Sequence, residues 1–174
     1  GIDAPLGPIV SGTMYPYNQT KLEFIGHDTY LTWTKETENA GDFRVSLASS
    51  TIVRVNRQEY ASSDEIDLLE AFIYEPRSQQ NLTVSWSRED HALSLFADRL
   101  GHMNMYQGKV SDPHITYNMS YSYDYSPDID LYLSVRNLTD VMPQKDGGFG
   151  YPYYYQGVFS VFGIYASAGF NYRF

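Results

Sequence analysis

Residues able to do chemistry are scattered thinly along this chain. His102-Met103-Asn104-Met105, followed by Asp112 and His114, supplies the imidazole and thioether ligand types that suit copper. Their spacing follows no regular ligand pattern, so no metal site is expected. Asp64, Glu65, Asp67 and Glu70 offer carboxylate oxygens of the kind Ca²⁺ takes. A solvated acidic loop accounts for them more simply. Glu23, Asp28 and Asp98 are candidates for a carboxylate pair, but they fall on different predicted strands without convergence. No nucleophile–base order and no phosphate-binding loop is present. The chain is therefore not expected to be an enzyme, and no cofactor is expected. Four Asn-x-Ser/Thr sequences, at Asn18, Asn81, Asn118 and Asn137, carry no glycan argument, since three fall in or beside predicted strands.

The richest grouping is aromatic. Asp146-Gly147-Gly148-Phe149-Gly150-Tyr151-Pro152-Tyr153-Tyr154-Tyr155 combines glycines, which permit tight turns, with flat amphipathic rings. Phe149, Tyr151, Tyr153, Tyr154 and Tyr155 are thus candidates for capturing a ligand, or for packing a loop on its neighbours. With 17 tyrosines and 2 tryptophans among 174 residues, the chain suits surfaces apolar at one end and wet at the other. The absence of cysteine excludes disulfides and thiolate metal sites. A net charge of −9 without clustered Lys or Arg argues against nucleic acid as a partner. No apolar run reaches the eighteen or so residues of a transmembrane helix.

The elements that must position these residues are strands. Apolar and polar residues alternate in 22–34, 43–56, 81–87, 91–99, 114–125, 129–136 and at the C-terminus. In 114–125 the apolar set is Ile115, Tyr117, Met119, Tyr121, Tyr123 and Tyr125; in 129–136 it is Ile129, Leu131, Leu133 and Val135. The alternation predicts an all-β antiparallel up-and-down meander of about seven strands. A short helix over Ser63–Phe72 is the only helical candidate. Connections alternate between long (Gln58–Gln80, Gly101–Pro113, Thr139–Val158) and short (Arg88-Glu89-Asp90, Ser126-Pro127-Asp128), with Lys35–Gly41 intermediate. One-ended long loops and two-faced strands are the signature of a transmembrane β-barrel. Arg44, Arg54, Arg136 and Arg173 all fall in the polar sets; Arg99 and His27 do not.

Several segments then resemble the C-terminal barrel strands of the TonB-dependent outer-membrane receptors. Val135-Arg136-Asn137-Leu138-Thr139-Asp140 is similar to the family's segment at the end of the penultimate strand. The closing Gly169-Phe170-Asn171-Tyr172-Arg173-Phe174 resembles its "G-x-x-Y-x-F" ending, and Pro76-Arg77 before Asn81–Trp86 resembles its proline, basic residue and Trp-ended strand. The resemblance implies that 21–174 is the C-terminal part of an incomplete barrel lacking its plug, with 1–20 an extracellular loop segment. It also implies a bacterial outer-membrane location and a role in energy-coupled uptake of a bulky nutrient: a metal chelate, a cobalamin-like molecule or an oligosaccharide. Phe170, Tyr172 and Phe174 would anchor the chain in lipid and signal to the barrel-assembly machinery. The implied partners are outer-membrane lipid, the rest of the barrel and the plug, with TonB reached only through the missing N-terminal part. Two other readings stay open. One is a stand-alone eight-stranded barrel, which Pro5, Pro8 and Pro16 in the extra strand disfavour. The other is a soluble β-sandwich that binds carbohydrate.

Overall fold

The computed structural model describes residues 11–13, 21–71 and 74–174. The segment 1–20 therefore lies almost wholly outside the described residues. One antiparallel sheet contains every strand among the described residues: β1 (Lys21–Lys35), β2 (Asp42–Gln58), the two-residue β3 (Ile66–Asp67), β4 (Ser78–Arg88), β5 (His91–Leu100), β6 (His114–Ser126), β7 (Ile129–Arg136) and β8 (Tyr165–Tyr172). Its order is β1-β2-β4-β5-β6-β7-β8, with β3 pairing β2 from the side. This is an all-β meander, as the alternation predicts. The candidate helix over 63–72, for which an irregular loop is the alternative, is absent from the part described: Ile66 and Asp67 pair with Arg57 and Asn56, and the Asp67 carboxylate accepts from the Leu69 N–H. A short Asp side chain capturing a backbone donor two residues on favours a turn over a helix. No helix among the described residues is long and apolar enough to cross a membrane, which leaves membrane-crossing strands open.

The register turns local alternation into continuous rows. Trp33, Val45, Val84, Leu95, Met119, Val135 and Ala166 lie side by side across seven strands. One step along, Thr34, Arg44, Ser85, Ser94, Ser120, Ser134 and Ser167 form the neighbouring row. Successive side chains point to opposite faces, so one face is apolar and the other is lined with small hydroxyls. Among the described residues nothing covers the apolar face: Trp33 is 53% exposed, Leu95 44% and Phe170 68%. The buried apolar residues, Val55, Leu68, Met103, Met105 and Tyr154, lie instead at or beyond the strand ends that carry the long loops. Among the described residues there is no second layer and no core between layers.

Bulges break the pattern twice, at Tyr125 beside the β6–β7 turn and, with more consequence, on β2. Ile25 pairs with Arg54 but Gly26 pairs with Ile52, leaving Val53 unmatched. An extra residue reverses the facing of everything beyond it. Arg54 and Asn56 therefore share the face of Ile25 and Trp33, not that of Arg44 as strict alternation predicts. There they join a polar network: Arg54 bonds Glu23, Lys21 bonds Glu23 and Glu65, and Asn56 donates to Glu65. Arg99 stays on the apolar side, as its parity predicts, and donates to Gln80 and Ser78. His27 lies on that side too and bonds Thr29.

The three short turns gather at one end and the three long loops at the other, because every link joins adjacent antiparallel strands. In the 36–41 turn, Gly41 has φ +85°, Thr37 donates to its carbonyl, and the Trp86 indole N–H donates to Ala40. Gly169 in the closing motif has a different task. A Cβ there would sit 2.3 Å from the Tyr132 hydroxyl and 2.5 Å from its ring, so the glycine makes room for an aromatic ring crossing from the facing strand. Gly169→Ala is expected to lower stability by about 1 kcal/mol and to cost nothing further in a Tyr132→Ala background, read as a double-mutant cycle of unfolding midpoints.

Candidate functional site

The long loops form a packed cap whose hub is Asp146. Its side chain is only 3% exposed. The carboxylate accepts from the Gly148 N–H at 2.8 Å, the Tyr106 N–H at 3.0 Å and the Tyr74 hydroxyl at 3.0 Å. Three loops distant in sequence thus meet on one anion. Burial by itself would raise the Asp146 pKa. The two backbone donors and the Tyr74 hydroxyl more than offset that and, helped by Lys109, hold it below the usual carboxylate value. Burial and the neighbouring carboxylate push the Tyr74 phenol up, so it remains a donor.

Tyr74 also organises the rings. Phe149 and Tyr155 each lie 5.0 Å from its centroid and stack on each other at 5.6 Å. The five aromatics singled out from the sequence thus divide into three groups. Phe149 and Tyr155 pack against Tyr74. Tyr154 is buried, 4% exposed, with its ring edge-on to Phe159. Tyr151, 87% exposed, and Tyr153, with Lys145 over its ring at 5.8 Å, face outward and remain available for contact. Tyr74 and Tyr106 escape sequence reading, because nothing local marks residues from two other loops as partners of Asp146.

The Asn137-Leu138-Thr139-Asp140 segment is a second loop clasp. The Asn137 amide donates to the Val141 carbonyl at 2.9 Å and accepts from the Val141 N–H at 3.0 Å. Its own N–H reaches the Asn118 side chain, and Asp140 accepts from the Ile164 N–H at 2.9 Å. Both ends of the last loop are tied where β7 stops and β8 begins. Positive φ at Asn137 and Asp140 suits residue types that tolerate the left-handed region.

The other candidates are dispersed. Met103 and Met105 are buried, the His102 ring meets the Ser111 carbonyl at 2.7 Å, and His114 packs edge-on to Phe159. Among the described residues no three His, Asp or Glu side chains are grouped to hold a metal ion. Glu65 bonds Lys21, Asp67 caps a turn, Glu23 bonds Arg54, and Asp98 accepts from Asn81 and Asn118. The Asn18 sequon lies outside the described residues. At the opposite end Phe170, Tyr172 and Phe174 are all exposed, and the Tyr172 and Phe174 rings lie 5.6 Å apart. Their strand pairs only with β7, leaving its outer edge open among the described residues.

No protein-family model matches the chain, and no curated protein or solved structure matches it either. The family resemblance rests on the motifs alone.

Two outcomes test the cap. Asp146→Ala, which leaves two buried N–H groups unpaired, is expected to cost about 1–3 kcal/mol and to speed amide exchange at Tyr106 and Gly148. A carboxyl whose pKa is lowered by folding stabilises above its unfolded pKa and ceases to do so as pH falls through the folded value. Protection of those two amides is therefore expected to hold at neutral pH and to fall only at strongly acidic pH, below the ordinary carboxylate range; the Ala variant should show no such step.

Proposed function

We propose that this chain is the C-terminal wall of a TonB-dependent receptor barrel in a bacterial outer membrane, serving energy-coupled uptake of a bulky nutrient. The observation that carries the reading is a single-layered sheet with one continuous, uncovered apolar face and one hydroxyl-lined face. On β6 the outward set runs over about ten residues, from Ile115 to the bulge at Tyr125. At roughly 3.3 Å per residue and a tilt of about 40°, that band stands roughly 25 Å tall, the height a barrel presents to lipid. Its loop-side boundary is the row of Thr29, Ser49, Gln80 and Arg99, where the outward face turns polar. Arg99 and His27, the two exceptions to the sequence pattern, both belong at or beyond that boundary, where a charged head reaches water or headgroups. Tyr125, Tyr172 and Phe174 supply aromatics for the turn-side interface.

The sheet edges support a larger barrel. β1 and β8 both run from the long-loop end to the short-turn end, so joining them directly would make a parallel pair. Antiparallel closure needs an odd number of further strands. One would give an eight-stranded barrel, whose interior is normally filled by side chains. The row from Ser85 to Ser167 is small and hydroxylated throughout, with Phe96 and Tyr132 in the rows beside it, a lining that favours a wet lumen. In this reading Tyr151 and Tyr153 face the outside at the mouth and contact the nutrient. Phe170, Tyr172 and Phe174 line the strand that the assembly machinery would engage by edge pairing.

The test compares faces. Leu95→Lys, near mid-band on the apolar side, is expected to cost about 2–4 kcal/mol in lipid vesicles, and Ser94→Lys on the opposite face far less. Unfolding by urea in vesicles reads both. Equal tolerance of the two lysines, or a monodisperse protein in buffer without detergent, overturns the proposal.

A further inference from the structure

On the hydroxyl-lined side, beneath the last long loop, lies a recess of about 600 Å³. That volume is in the range of small-molecule sites. β5, β6 and β7 supply one side of it, through Asp98, Leu100, Asn118 and Arg136. The loop supplies the other, through Val158, Phe159 and Phe162, with Tyr165 at the start of β8. The Asn137 and Asp140 clasps hold this loop at both ends, so the recess is built by bonded structure.

Its two charges are unequal in what they need. Asp98 is already served: one carboxylate oxygen accepts from Asn81 at 2.6 Å and the other from Asn118 at 2.8 Å. The Arg136 guanidinium has no ion-pair or hydrogen-bond partner among the described residues. Elsewhere in the sheet, Arg173 at the short-turn end bonds Asp130, and Arg99, on the opposite face, bonds Gln80. Arg136 is exposed, so its guanidinium is hydrated and free to take a planar anion that enters beside the apolar wall.

We propose that this recess binds a small carboxylate with a flat apolar body, its carboxylate on Arg136 and its body between Leu100, Phe159 and Phe162. The acid and its neutral ester differ only at the group Arg136 would hold, which makes the class testable. The recess is made by this chain's own strands and loop, so the inference does not rest on the bilayer reading; that reading is scored separately by the two lysine variants.

The experiment titrates 2-naphthoate into the purified full chain by calorimetry, with protein-free detergent micelles as the blank. One saturable site is expected. Methyl 2-naphthoate should bind about tenfold or more weakly, the usual worth of a charge-assisted hydrogen bond. Arg136→Gln should lose a similar factor for the acid and nothing for the ester. Arg136→Lys should recover part of it, as a point charge without the fork. Phe162→Ala should weaken acid and ester alike. Equal binding of acid and ester, unchanged naphthoate binding in Arg136→Gln, or no saturable site above the micelle blank each overturns the proposal. So does an Arg136→Gln variant that binds no less naphthoate but unfolds earlier, since the guanidinium would then serve a carboxylate of the polypeptide.

Discussion

Lateral register is the constraint on which the rest depends. Alternation gives each strand two faces, but only pairing decides whether neighbouring faces agree. Here they agree across seven strands: Val84 meets Leu95, Leu95 meets Met119, and Met119 meets Val135. A slip of one residue at any interface would set serines beside valines for the length of a strand. The short turns on one side and the clasped loops on the other make that slip costly. The Ser85 and Ser94 hydroxyls, 2.8 Å apart, show that the polar rows are bonded as well as aligned.

Because the sheet has a single layer, its buried residues gather where the loops are. Met103, Met105 and Tyr154 fill the cap, and the polar residues buried with them, Ser111, Asn137 and Asp146, are bonded. Asp146 collects three donors from three loops, and Asn137 binds both backbone groups of Val141. A buried polar group without partners would cost more than these bonds contribute on balance. That asymmetry is why the loops are held in one arrangement. Of the aromatics in the 146–155 stretch, Phe149 and Tyr155 pack with Tyr74 and Tyr154 is buried, while Tyr151 and Tyr153 stay exposed.

The bulge at Val53 divides two environments within one hairpin. Before it, β2 presents Phe43, Val45 and Leu47 on the apolar side. Beyond it, Arg54 and Asn56 occupy that side beside Glu23 and Lys21. Charges that would be costly on an uncovered apolar band are placed past its edge, on strands of 15 and 17 residues that outrun their neighbours. The outward face has already turned polar at Ser49 and Thr51, and the inserted residue keeps it polar by placing Arg54 and Asn56 there in place of Val55.

The sequence by itself determined the fold class, seven of the eight strands nearly to their ends, and the split into short and long connections. These are local properties: a period of two, Gly and Pro at turns, and tyrosines at strand ends are all visible within ten residues. It also marked the Asn137–Asp140 and Gly169–Phe174 segments, whose reasons lie in nearby bonds and in one facing ring. Only the tertiary structure decided the rest. The side taken by Arg54 depends on a bulge that alternation cannot register. The convergence of Tyr74 and Tyr106 on Asp146, the burial of Tyr154 and the recess beside Arg136 depend on loops that meet in space after 30 to 70 intervening residues, roughly, and no local pattern records which distant donor will reach a given carboxylate.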